Sequence, residues 1–412
     1  MLEKRKKLEK NFVLIFLILF GVYIIGRFLK IFPVSVPRKN PSTVQAAEAT
    51  LIGSSDIHIQ RKQTTSIVIG RLGYALFNDG TATVTDEAGA AMGLKSKTVD
   101  ITIPASIFYQ GKKYTVTVIG QKCFFDREDG KQNYGKIVLP DTIQTIGMGA
   151  FYKVSCEELV IPDSVTTVEE YAFCGMSVKK DFYYPAGATE IPRGALLGMV
   201  VENGCLVIPE TITRLYYWAI GTSSPVRLLC EPDGIDPFAI FRLSGEIEIG
   251  GKNGFVVENG MLLNKDKTEL IKCVKATSMK IVVPDTVRRI HPFAFCNTNV
   301  KELPKGTEGI RFDLPEGVEI YLPEGLTKLE LGTFYQNEWI ERVFLPASLE
   351  KIEERVFVTG YPYTALMTVV FQSKQVPEIG KKNEVKEVDV PDTFLKNYQD
   401  GLKGRLQYEK IY

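Results

Sequence analysis

Histidine is almost missing from this chain: His58 and His291 are the only two in 412 residues. A metal centre built on imidazole, or a serine-histidine-aspartate relay, needs histidine beside matched partners. His58 stands in Asp56-Ile-His58-Ile and His291 follows Ile290, neither inside a supporting motif, so no catalytic role is expected for them. Also absent are a GxGxxG or Walker-type loop and Asx-rich loops with glycine at fixed offsets. Those absences remove the usual signals of a phosphate cradle and of a dedicated calcium site. No Leu-Pro-x-Thr-Gly signal or carboxy-terminal apolar tail occurs, so covalent wall attachment is not expected. We therefore expect no cofactor, no metal and no enzyme.

Charge is split along the chain. Residues 1–46 hold nine of the 50 basic groups and two of the 49 acidic ones, which leaves the remainder at about −6. A mildly acidic body argues against binding a phosphate backbone, and nucleic acid is not an expected partner. The seven cysteines (Cys123, Cys156, Cys174, Cys205, Cys230, Cys273 and Cys296) are odd in number and never in C-x-x-C spacing. Small buried core residues explain them better than a disulfide framework does.

What is present is repetition. Ile137-Val-Leu-Pro140-Asp-Thr-Ile143, ending in Ala150-Phe151, recurs as Leu159-Val-Ile-Pro162-Asp-Ser-Val165 with Ala172-Phe173. It returns as Ile281-Val-Val-Pro284-Asp-Thr-Val287 with Ala294-Phe295. The prolines at 140, 162, 185 and 209 lie 22, 23 and 24 residues apart, and Pro323 to Pro346 is again 23. That period suits one strand, a turn and a short second element per coil of a solenoid. Alternating apolar residues form the strand, and proline ends it. Asp141, Asp163, Asp285 and Asp392 follow those prolines as turn formers rather than calcium ligands. Ile146, Val168 and Ile290, then Phe151, Phe173 and Phe295, are expected in the core.

This pattern resembles the leucine-rich repeats of BspA-like bacterial surface proteins over about residues 70–398. Tyr74 to Val84 is similar to that family's opening hairpin, Phe255 to Leu263 to its hairpin insertion, and Val388 to Tyr398 to its closing unit. The resemblance implies a leucine-rich-repeat solenoid with parallel strands and a turn or short helix per coil. A small β cap and an amino-terminal membrane-spanning helix complete the expected fold. Boundaries follow: a leader at 1–31, a tether at 32–65, a cap at 66–100, repeats at 101–398 with a hairpin near 253–274, and a tail at 399–412. Ala195-Leu196 and Ala219-Ile220 depart from Ala-Phe, and Glu231 to Phe241 is degenerate, so irregular stacking is expected from about 225 to 320.

Lys4-Arg5-Lys6-Lys7 precedes an apolar run, and residues 11–29 approach the roughly 20 residues that span a bilayer. The basic cluster places the amino terminus inside and the rest outside. Val44-Gln45-Ala46 offers a signal-peptidase site, so both a retained membrane anchor and release by cleavage near Ala46 stay open.

If the strands pair in parallel, one residue per strand faces outward: Val138, Val160, Tyr183, Val207, Val282, Tyr321, Phe344 and Val370. Beside them runs a row that is mostly charged: Lys136, Glu158, Asp181, Lys280, Glu319, Arg342 and Thr368. Apolar residues with charged neighbours suit a protein-binding face, although valine and aromatics also suit any strand. With the resemblance, this predicts an exported adhesion or recognition module for an extracellular protein or glycan. An envelope spacer without a ligand, and a glycan-active enzyme with a site in 231–319, are the alternatives. An open solenoid face lacks the water-excluding pocket that the enzyme would need.

Overall fold

The prolines of the repeated phrase close their turns in the same way. The carbonyls of Pro140, Pro162, Pro185, Pro209, Pro284, Pro323 and Pro346 each accept the N–H three residues on. The hydroxyls behind the turn reach further than local turn chemistry requires. Ser164 Oγ donates to the Ile143 carbonyl (2.8 Å), Ser348 Oγ to Leu326 (3.0 Å) and Thr142 Oγ1 to Val116 (2.6 Å), each on the preceding coil. They tie coil to coil.

The computed structural model describes residues 61–85, 99–125, 133–250, 255–296, 298, 317–335, 337, 339–358 and 367–412. All belong to one unit, Ile59–Tyr412. The expected span at 11–29, the Ala46 site and His58 lie outside the described residues. Among those described, no helix is long and apolar enough to cross a membrane.

The solenoid has about 11 turns. Its cap begins earlier than expected, with strand Gln63–Ile69 antiparallel to Leu72–Phe77, which pairs in turn with Thr81–Thr85. Thr81–Thr85 then runs parallel to Lys112–Ile119, converting a hairpin edge into the first coil. Val99–Thr102, which straddles the expected boundary between cap and repeats, already pairs with Asn133–Val138 and so starts the repeats.

Three ladders run along the coils. The first carries the proline-ended strands, such as Asn133–Val138 beside Ser155–Val160. The second joins short strands after the turn, such as Thr145–Ile146 beside Thr167–Val168. At the third, the N–H groups of Phe124, Phe151, Phe173, Leu196 and Ile220 donate to Ala150, Ala172, Ala195, Ala219 and Ala239 on the next coil. Leucine and isoleucine therefore substitute for the corner phenylalanine without breaking the stack. The rings of Phe124, Phe151 and Phe173 lie 5.1 and 5.8 Å apart, and those of Phe295, Phe334 and Phe357 lie 5.0 and 5.6 Å apart.

The residue before that alanine is left-handed, with φ +58° at Tyr171, +58° at Trp218 and +60° at Phe293. Such a backbone is costly outside glycine. Tyr171 and Phe293 nevertheless use it, and their rings lie over the next coil, where Gly194 and Gly332 take the same place. A Cβ on either glycine would collide with the ring above it.

Irregularity begins later than expected. Val226–Leu228 and Ile247–Ile249 continue the first ladder in register, and Gly234–Ile235 continues the second, because the degenerate unit keeps its alternating apolar residues. The break comes at the hairpin of Val256–Glu258 and Met261–Leu263, with Glu269–Cys273 antiparallel to its second strand. Met261–Leu263 and Leu270–Cys273 are buried on both faces, whereas Val257 on the first strand is exposed. Leu262, Ile271 and Val274 pack into one hydrophobic core, whereas Met261, Leu263, Leu270 and Cys273 pack into the next. Lys272 shares the buried strand, only 1% exposed, and its ammonium donates to the carbonyls of Phe241 (3.3 Å), Phe293 (3.4 Å) and Cys296.

Helix Leu395–Leu402 closes the core with Tyr398 and Leu402, and the Tyr398 hydroxyl donates to the carbonyls of Ser373 and Gln375 at 3.0 Å each. Residues 399–412 are not a tail. Leu406–Gln407 and Lys410–Ile411 pair with Asn383–Glu384 and Glu387–Asp389, extending the stack by a further coil.

Candidate binding face

Strand register decides which outward residues meet. Val138 pairs with Val160, and Tyr183 with Val207. Val282, Tyr321, Phe344 and Val370 form an unbroken series. The sequence-predicted row therefore exists, but as two stretches. Arg227 and Glu248 follow Val207 in register, joined by an ion pair at 2.9 Å, and interrupt the apolar row. Asp389 ends the second stretch.

Exposure corrects one member. Tyr183 is 59% exposed and Val282 52%, while Val138, Val160, Tyr321, Phe344 and Val370 are half-buried. Val207 is buried at 6%, because its register neighbours are the larger side chains of Tyr183 and Arg227.

In the second stretch the rings of Tyr321 and Phe344 stack at 4.2 Å, 6° from parallel, with the Lys280 ammonium 4.3 Å from the Tyr321 ring centre. The Tyr321 hydroxyl donates to Glu319 Oε2 at 2.7 Å, and that bond raises the phenol's pKa. Lys280, Glu319, Arg342 and Thr368 line up beside these rings in register.

The first stretch has a different geometry. Lys180 and Lys136 sit 2.7 and 3.2 Å from Glu158, and their hydrogen bonds hold its carboxyl below the usual range. Asp181 accepts the Cys205 N–H at 2.8 Å and the Tyr183 hydroxyl at 3.3 Å, and its charge raises the Tyr183 phenol.

Chain length then opens a gap. Cys156, Val178 and Val201 are in register, and so are Phe182 and Leu206. From the first set to the strand core is three residues at Cys156–Leu159, four at Val178–Phe182 and five at Val201–Leu206. The linking residues stay bonded to the coil before: the N–H groups of Lys179 and Lys180 donate to the Glu157 carbonyl. Ser155–Val160 pairs forward only with Ser177–Val178, and Phe182–Tyr183 pairs only with Leu206–Ile208. Between them lies a cleft of about 690 Å³, lined by Val160, Ile161, Lys180, Asp181, Tyr183 and Val207 among others. Ile161, expected inside, is half-buried because it lines this opening. Neither the cleft nor the Arg227–Glu248 interruption was foreseen from sequence. The growing interval between prolines was the signal for the former.

His291 Nε2 lies 2.7 Å from Glu269 Oε2 on the second ladder, and burial lowers its pKa. Arg289 bridges Glu330 (2.8 Å) and Glu269 (3.7 Å) beside it. Cys123, Cys156, Cys230, Cys273 and Cys296 are buried within the coils, and Cys174 and Cys205 are half-buried. Burial pushes the Cys156, Cys230 and Cys273 thiols up to about 12. Among the described residues, no three His, Cys, Asp or Glu side chains group as metal ligands would.

Comparison with known proteins agrees with the coil geometry. A solved structure of the pneumococcal vaccine antigen PcpA is 17% identical, covering 85% of this chain and 98% of its own, with a TM-score of 0.57. A leucine-rich repeat protein from Eubacterium ventriosum is 20% identical, covering 84% of this chain and 86% of its own, with a TM-score of 0.42. A leucine rich cell surface protein from Faecalibacterium prausnitzii is 15% identical, covering 84% and 96%, with a TM-score of 0.44. No curated protein sequence matches significantly. The BspA type leucine rich repeat model matches residues 100–226 and 271–383 in 6 copies, more than half of the chain. The chain belongs to the BspA-type leucine-rich repeat family.

Proposed function

We propose that this chain is an exported, non-catalytic repeat scaffold that binds an extracellular protein or glycan through the outward row of its first ladder. It is held at the outer face of a bacterial cytoplasmic membrane by residues 11–29, or released by cleavage near Ala46. The observation that carries this reading is the run Val282-Tyr321-Phe344-Val370, where stacked aromatic rings stand beside a mostly charged row. An apolar, aromatic centre with a polar rim is the anatomy of a recognition surface.

Combined replacement of Tyr183, Tyr321 and Phe344 by serine tests the reading. Binding to a panel of immobilised extracellular-matrix proteins and glycans should fall to background, with the thermal midpoint little changed. Undiminished binding by the triple variant would reject the face, and an intact protein that binds nothing would favour a spacer.

A further inference from the structure

We infer that the cleft beside Tyr183 is a saccharide site, taking a short neutral sugar chain by ring stacking and by hydrogen bonds to carboxylates. This rests on the binding-face reading and names the ligand class of its first stretch. The opening of about 690 Å³ falls within the roughly 300–1,000 Å³ of small-ligand sites. It lies where two coils that pair upstream lose their strand pairing, so it is a feature of the backbone rather than of a loose side chain.

The lining fits a sugar. Tyr183 presents an exposed ring whose hydroxyl is anchored on Asp181, leaving its face for the apolar C–H side of a pyranose. Val160, Ile161, Val207 and Leu229 supply an apolar floor, while Glu158, Asp163 and Asp181 supply acceptors for hydroxyl donors.

Charge selects among ligands. Three carboxylates against Lys180 and Lys136 disfavour an acidic sugar or a phosphate. Two lysines already neutralise Glu158, and two donors already hold Asp181, which leaves Asp163 as the acid open to a cation. A wholly apolar segment would strip water from these acids without replacing its hydrogen bonds. A neutral polyhydroxyl chain with one apolar face meets each condition.

The test titrates the full chain by saturation-transfer NMR. The probes are neutral trisaccharides of glucose, mannose, galactose and N-acetylglucosamine, with trigalacturonate and trilysine as charged comparators. At least one neutral sugar should bind, and Tyr183→Ala should weaken it about tenfold, the loss of one ring contact worth roughly 1.4 kcal/mol. Deleting Lys180 restores the three-residue interval and should abolish binding by closing the cleft. Val160→Trp, which fills the cleft, serves the same purpose should the deletion fail to fold.

Preference for trigalacturonate or trilysine, no neutral binding, or wild-type affinity in Tyr183→Ala and Val160→Trp would each overturn the inference. Binding lost in Tyr321→Ser/Phe344→Ser but kept in Tyr183→Ala would sink this site while sparing the wider face.

Discussion

Val160 and Tyr183 hold the same place on successive coils, yet no strand pairing joins them, although Cys156 and Val178 just upstream do pair. A parallel ladder thus runs continuous on one side of a single added residue and parts on the other. The candidate site is built from that discontinuity, and the rest of the solenoid supplies rigidity around it.

The stacked corner phenylalanines should dominate local stability. Phe151 lies between Phe124 and Phe173 and is fully buried. Phe151→Ala should cost about 3–5 kcal/mol, read as a lowered guanidinium midpoint. A shift no larger than that of an exposed control such as Lys113→Ala would contradict this.

Lys272 should give stability an unusual dependence on pH. Burial lowers its pKa from 10.5 to about 8. Below about pH 8 the group is protonated in both states, and the folded protein bears the full cost of burying charge. From about 8 to 10.5 the unfolded chain keeps a proton that the folded one loses, so stability rises with pH across that window. Thermal midpoints should climb there in the wild type relative to Lys272→Met; parallel curves for the two proteins would refute the assignment.

The left-handed corners make a paired prediction. Gly332→Ala meets both a φ of +64° and the ring of Phe293, and should destabilise by roughly 1–3 kcal/mol. Adding Phe293→Ala removes the collision but not the backbone strain, so the double variant should lose less than the two single losses combined. Strict additivity by urea denaturation would show that ring and Cβ never meet.

The turn hydroxyls link coils, and each such bond is worth about 1 kcal/mol. Ser164→Ala should therefore speed amide exchange at the Pro140 and Pro162 turns together, since its hydroxyl joins them. An effect confined to one turn would make the residue a local turn former only.

Much of this was legible beforehand, for a physical reason. A coil one strand wide must alternate its side chains, so Ile137, Leu139, Phe182 and Leu206 could be assigned inward from period alone, and all are buried. The hairpin at 255–263 was legible through the family resemblance, whereas the helix Leu395–Leu402 was not foreseen. Side-chain reach was not: Val207 sits in an outward register, and only its neighbours decide that it is covered. Nor could one sequence separate Arg227 and Glu248 as an interruption, because the degenerate unit hid their alignment. The closing coil at 406–411 lacks the proline phrase altogether, so nothing in its sequence distinguishes it from a tail.

The uneven intervals of 22, 23 and 24 residues among Pro140, Pro162, Pro185 and Pro209 carry a consequence for how the chain assembles. Arrays of identical modules invite mispairing, in which a segment docks one module out of step. Here a slip by one module would set a 22-residue interval against a 24-residue one and strand donors opposite the wrong acceptors. Each module is keyed to its own neighbour, and the nascent chain has one order in which to wind.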